Sequence, residues 1–103
     1  VPYWDFDAPN IPNEIRDASA GAIMASALLE LSAYTDDKYL TSAQHILESL
    51  SSDTYTAKMG ENGNFVLKHS VGSIPHGNEI DVPLNYADYY YIEALIRLRE
   101  RGL

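Results

Sequence analysis

The sequence predicts an all-α fold of about three main helices, interrupted by one short irregular segment resembling a β-hairpin. Three runs of residues carry that prediction. Residues 18–33 are an almost unbroken series of Ala, Ser, Gly, Leu, Ile and Met, with Glu30 as the only charge. Residues 37–51 repeat Tyr39, Leu40, Ala43, Ile46, Leu47 and Leu50 at three- and four-residue spacing. Residues 86–101 line up Tyr90, Tyr91, Ala94, Leu95 and Leu98, then place Arg97, Arg99 and Arg101 ahead of Gly102.

In chain order, the first 16 residues come before any helix. Pro2, Pro9 and Pro12 forbid one there and favour extended or turn conformations. Tyr3, Trp4 and Phe6 alternate with acids, so this segment is expected to pack rather than trail as a linker. Asp17 is a good N-cap for the first helix. That helix is apolar or small on nearly every face, a pattern that calls for burial on all sides. Tyr34-Thr35-Asp36-Asp37 breaks it and leads to an ordinary amphipathic outer helix, with Lys38, Gln44, His45 and Glu48 on the wet side. Gly60-Glu61-Asn62-Gly63-Asn64 is a turn signal, Phe65–His69 a short possible strand, and Ser70–Asn85 a polar loop. Two neighbouring helices cover about half of the 18–33 helix. The expectation is therefore that this chain self-associates, or that more chain belongs around it.

Composition removes several function classes. At 103 residues the chain fits one domain, read as a single segment 1–103. With no Cys there is no disulfide framework, thiol nucleophile or Cys-based zinc site. Fifteen acids against seven bases argue against a nucleic-acid surface and against an anionic membrane. No apolar run approaches a membrane span. The absence of an initiator Met reads as something removed from the front or as a piece of a longer chain.

The chemistry-bearing residues are sparse. Asp36 and Asp37 read as a turn or cap, and Asp17 and Asp88 as helix N-terminal groups. Asp5 and Asp7 sit among aromatics, where acids need partners. They either pair structurally, with Arg16 as the candidate, or contact a ligand. His45, His69 and His76 have no metal-ligand spacing. His69 reads as a structural hydrogen-bond donor or acceptor, whereas His76 at the tip of Pro75-His76-Gly77 is placed to touch a ligand. Ser70 and Ser73 lie outside any nucleophile elbow. Tyr89-Tyr90-Tyr91 face three directions, at least one of them toward the core.

A series of motifs resembles the unsaturated glucuronyl hydrolases of glycoside hydrolase family 88. It runs from Pro2-Tyr3-Trp4-Asp5-Phe6-Asp7-Ala8-Pro9 through Arg16-Asp17-Ala18-Ser19-Ala20 to Leu28-Leu29-Glu30-Leu31. It continues with Leu67-Lys68-His69-Ser70-Val71-Gly72-Ser73, Asp81, and Tyr86-Ala87-Asp88-Tyr89-Tyr90-Tyr91-Ile92-Glu93-Ala94-Leu95. The likeness is to the C-terminal part of such an enzyme. It implies a portion of an (α/α)6 barrel, with 18–33 and 86–101 as inner helices and 37–51 as an outer one.

The resemblance also implies an activity. An aspartic acid protonates the C4=C5 bond of an unsaturated uronic acid, water adds, and the hemiketal opens to release the sugar. The partner implied is an oligosaccharide with that sugar at its non-reducing end, in a bacterial cytoplasm or periplasm, with no cofactor or metal. Inner-helix N-termini face the pocket, so 1–16 and 70–85 both border it. That makes Trp4, Asp5, Asp7, Arg16, Ser73 and His76 the candidate substrate-binding residues. The family's catalytic aspartates match nothing here, and no catalytic residue is assigned.

Some family members bind a 6-sulfated substrate through Ser-x-x-Ser-x-Lys. The aligned stretch Ser73-Ile74-Pro75-His76-Gly77-Asn78 keeps only the first Ser. Many members also carry an aromatic where Gly72 stands, so stacking on the sugar from that position is lost. The alternative reading, from a different class, is a helical-repeat interaction module without activity. The pair 18–51 suits it, but no second copy of that unit appears.

Overall fold

The computed structural model describes residues 1–102. Its helices are α1 (Ala18–Ser32), α2 (Lys38–Leu50) and α3 (Asn85–Glu100), with one 3-10 turn at Asn62–Asn64. All three lie within two residues of the spans that periodicity and capping predict. Asp17 caps α1 from an extended conformation (φ −117, ψ 103), its carboxylate accepting from the Ser19 N–H. Asp36 Oδ1 accepts from the Lys38 N–H at 3.1 Å, so the acidic break before α2 is a turn that feeds its first amide.

α1 is the centre of the fold and packs on both other helices. Ala18, Ala22, Ala25 and Leu29 meet Ala43, Leu47 and Leu50 of α2 and Ala87, Tyr91 and Ala94 of α3 in one buried cluster. The small residues let the backbones come close. A Cβ built on Gly21 would stand 3.6 Å from Leu50, at the far end of α2, so α2 runs antiparallel to α1. α3 runs parallel to it, because Ser26 bonds Glu93 and Arg97 while Ser32, further along, bonds Arg101.

The α1–α3 seam adds a set of polar bonds to its buried apolar contacts. Arg97 Nη1 donates to both the carbonyl and the hydroxyl of Ser26 at 2.9 Å, and pairs with Glu93 at 3.4 Å. Arg101 donates to Ser32 Oγ at 2.6 Å. Two of the three C-terminal arginines thus bind the neighbouring helix, a use that helix-dipole reasoning does not reveal.

The expectation that α1 is buried on all sides does not hold within this chain. Ile23, Met24 and Leu31 are exposed, as are Ile92, Leu95 and Ile96 of α3. Two neighbours cover only part of a cylinder. Phe6 departs from the packing expected of the N-terminal aromatics in the same way and stands 78% exposed.

The remaining residues form a loop layer over the N-terminal ends of α1 and α3. The Ala18 N–H donates to the His69 carbonyl at 3.0 Å. Val66 and Leu67 N–H groups donate to the two oxygens of Asp88, in the first turn of α3, at 2.8 and 2.9 Å. This explains why Phe65–His69 forms no regular strand. Its pairing reduces to an isolated bridge, Thr56 with Leu67, because Asp88 takes two amides and His69 turns left-handed (φ 67). Ser70–Val82 folds as a short hairpin-like pair, with bridges Ser70–Val82 and Ser73–Asn78. Ile74-Pro75-His76-Gly77 makes the turn, closed by Gly77 N–H to the Ile74 carbonyl at 2.9 Å. Proline at the second position fits that turn, and Gly77 supplies φ +63. Among the described residues no helix is long and apolar enough to cross a membrane.

Candidate functional site

Two clefts open in the loop layer. The first, about 220 Å³, is walled by Trp4, Asp5 and Asp17 on one side and by residues 71–75 on the other. The wall is built from both loops because Asp17 ties them together. Its Oδ1 accepts from the Ser19 N–H at 3.0 Å, the Ser19 hydroxyl at 2.6 Å and the Val71 N–H at 3.0 Å. The residue that starts α1 therefore also fixes a loop 54 positions away.

Trp4 is held by Glu14, whose Oε1 accepts from the indole N–H at 3.1 Å. The other Glu14 oxygen accepts from the Asn10 N–H at 2.9 Å. Asp5 Oδ1 accepts from the Asp7 N–H at 2.7 Å, a local turn that orients its carboxylate. Ser73 Oγ lies 2.7 Å from His76 Nδ1, so the histidine at the turn tip folds back on the cleft serine.

Of the six candidate substrate-binding residues, Trp4, Asp5 and Ser73 share this cleft, and His76 reaches it through Ser73. Asp7 and Arg16 lie outside it. Arg16 donates to the Val1 carbonyl and to Tyr3 Oη, and its guanidinium stacks 4.3 Å above the Tyr3 ring. The expected pairing of Arg16 with Asp5 or Asp7 is thereby corrected. Among the described residues neither acid has an ion-pair partner. Both acids are exposed, so water solvates them and no cation is needed.

Arg16 borders the second cleft, about 280 Å³, together with Glu14, Tyr55, His69 and Asp81. His69 Nδ1 lies 2.6 Å from Asp81 Oδ1, the structural bond expected of this histidine. Both residues hold left-handed backbone conformations (φ 67 and 54). Tyr55 meets the His69 ring edge-on at 6.0 Å. Burial pushes the Tyr55 phenol above its ordinary range, and the nearby Arg16 cation acts in the opposite direction. Among the described residues no group of acids and histidines could hold a metal ion.

Sequence reasoning missed Glu14 as the brace of Trp4 and Asp17 as part of the cleft. The N-cap role of Asp17 was readable from its neighbours, but its bond to Val71 was not.

An indole, a serine hydroxyl and the carboxylates of Asp5 and Asp17 line the first cleft. A sugar needs that chemistry: an apolar face for its ring and polar atoms for its hydroxyls. No family model matches the chain. An unsaturated glucuronyl hydrolase from Formosa agariphila is 52% identical over 98 residues, covering 94% of this chain and 24% of the relative. A solved structure of an unsaturated glucuronyl hydrolase specific for heparin superposes with a TM-score of 0.97 at 56% identity, over 99% of this chain and 28% of that one.

The chain belongs to the unsaturated glucuronyl hydrolase family. A UGL variant solved with dGlcA-Glc-Rha-Glc matches at 33% identity and a TM-score of 0.85, again over 28% of its length. The chain thus spans about a quarter of the length of the hydrolases it matches. Its three-helix arrangement is that of the corresponding quarter of the heparin-specific hydrolase.

Proposed function

We propose that this segment is the C-terminal part of an (α/α)6 barrel that hydrates the C4=C5 double bond of an unsaturated uronic acid. The substrates are lyase-generated oligosaccharides, and the uronic acid is released. The observation that carries the reading is the cleft at the N-terminal end of α1. It gathers Trp4, Asp5 and Ser73 in a chain that superposes on a quarter of a known hydrolase. In this reading Trp4 offers its ring face to the sugar. Ser73, oriented by His76, and Asp5 hydrogen-bond its hydroxyls. Arg16 and Asp7 act on the same end of the barrel from outside this cleft. The acid/base that protonates the double bond comes from another part of the barrel, so the segment contributes pocket wall.

The exposed apolar face of α1 and α3 supports the same reading. Ile23, Met24, Leu31, Ile92, Leu95 and Ile96 are what further barrel helices would cover, in place of self-association.

The assay follows loss of the double bond's ultraviolet absorbance. The full-length protein is presented with a panel of unsaturated disaccharides, beginning with those cut from heparin. Turnover is expected from the full-length protein and none from the segment alone. Failure of the full-length protein on every disaccharide would sink the hydrolase reading. Substituting Trp4→Ala in an active protein is expected to raise KM more than it lowers kcat, because a stacking platform holds substrate and transition state alike.

A further inference from the structure

Asp17 carries its hydrogen bonds on one of its two oxygens. Oδ1 accepts from the Ser19 N–H, the Ser19 hydroxyl and the Val71 N–H. Among the described residues no hydrogen bond or ion pair engages Oδ2. Capping α1 and tying down the hairpin therefore use half of the carboxylate. The other half is not sealed inside the protein. Among the described residues that are not exposed, Ser70 Oγ is the only buried side-chain polar atom without a hydrogen-bond partner. Asp17 is half-buried, so its unbonded Oδ2 reaches open space, and the space that Asp17 borders is the first cleft. The cleft lining contains no Lys, Arg or His to claim that oxygen. A carboxylate oxygen only accepts, so the group that meets it must donate a hydrogen bond. With Asp5 in the same lining, like charge turns a uronate carboxylate away from this place. A sugar hydroxyl meets both requirements.

Resting on the hydrolase reading above, we infer that Asp17 is a further substrate-binding residue, with Oδ1 committed to the fold and Oδ2 to a hydroxyl of the sugar seated against Trp4. The two tasks support each other. Three bonds on Oδ1 fix the carboxylate before any sugar arrives, so binding costs little further ordering of this side chain. Asp17 also stands at the start of α1, and a group on a helix end is placed more firmly than one on a loop. Asp5, by contrast, is exposed and bonds only the N–H of Asp7 in its own turn. A hydroxyl donating to a carboxylate makes a charge-assisted bond, stronger than one to a neutral acceptor. The bond holds substrate and transition state alike, so it acts mainly on KM.

The test uses the full-length protein as wild type, Asp17→Asn and Asp17→Ala. In Asp17→Asn the two backbone N–H groups call for the amide oxygen at the Oδ1 position, which puts the NH2 group at the Oδ2 position. The cap and the loop tie are kept, and the acceptor toward the cleft is lost. Asp17→Asn is expected to keep the wild-type unfolding midpoint and slow hydrogen exchange at Val71. Its kcat/KM on an unsaturated disaccharide is expected to fall about tenfold, mostly through KM. Asp17→Ala is expected to lose binding and to loosen Val71 as well. Wild-type kcat/KM in Asp17→Asn overturns the inference and leaves Asp17 a brace alone. So does a loss in Asp17→Asn accompanied by fast exchange at Val71, because the broken loop tie then accounts for it. A wild type that turns over no disaccharide of the panel overturns the hydrolase reading and this inference with it. An active wild type with an equally active Asp17→Asn removes this inference and leaves the hydrolase reading standing.

Discussion

The helical layer and the loop layer of this molecule are held together by different means. Between the helices, order comes from burial of small and apolar side chains: Ala22, Ala25, Leu47, Leu50 and Ala94 are all at or near zero exposure. In the loop layer, order comes from carboxylates that collect backbone N–H groups: Asp17 takes those of Ser19 and Val71, and Asp88 those of Val66 and Leu67. Close packing tolerates few gaps and spreads a defect over the whole layer. A carboxylate hub fails locally, releasing the segment whose amides it held. A cleft wall built on hubs can therefore change its loop residues without disturbing the helices.

The largest expected effect strikes the helical layer. Leu50→Ala, at a fully buried position, is expected to destabilise the intact protein by about 3 kcal/mol, read by denaturant unfolding. A loss well under about 1 kcal/mol would mean that α2 is not packed as described. Next comes the loop hub. Asp17→Ala removes both the α1 cap and the acceptor for the Val71 N–H, with an expected loss of about 2 kcal/mol. Hydrogen exchange should show faster exchange at Val71 and its hairpin while α2 stays protected. Equal loosening of α2 would erase the distinction between the layers.

A smaller effect has the opposite sign. Gly21→Ala, in the first turn of α1, places its Cβ at ordinary contact distances of 3.6–3.7 Å from Leu50, Pro2 and Ile46. It is expected to stabilise by roughly 0.5–1 kcal/mol through helix propensity. The smallest concerns Tyr55 at the base of the loop layer. Its phenol titrates above the ordinary value of 10.0 in the folded protein, so the fold favours the protonated form. That stability is fully present below pH 10 and is lost as pH rises through the raised pKa. Tyr55→Phe should show a shallower alkaline decline than wild type, measured as stability against pH from 9 to about 12.

The two layers also differed in how far they could be read beforehand. The helices were legible because their determinants are local: apolar spacing, an N-cap at Asp17 and a stop at Gly102 all lie within or beside the element they define. Trp4, Asp5 and Ser73 were picked out by residue type and resemblance. Their convergence depends on bonds between residues far apart in sequence. Val71 is 54 positions from Asp17, and Leu67 is 21 from Asp88. No periodicity encodes such a pair. Arg16 is a further case: residue type offers it Asp5 and Asp7, but the packing of the N-terminal segment brings it the Tyr3 ring and the Val1 carbonyl.

By itself the sequence determined the all-α class, the three helix spans, the acidic and cysteine-free chemistry, and the helix-capping role of Asp17. Each follows from short-range backbone preference or from composition. Only the tertiary structure decided that α1 and α3 run parallel with Arg97 and Arg101 bridging them. It alone brought two loops into one cleft wall. Those outcomes rest on close approach between distant residues, where distances of 2.6–3.6 Å fix which side chain fits beside which.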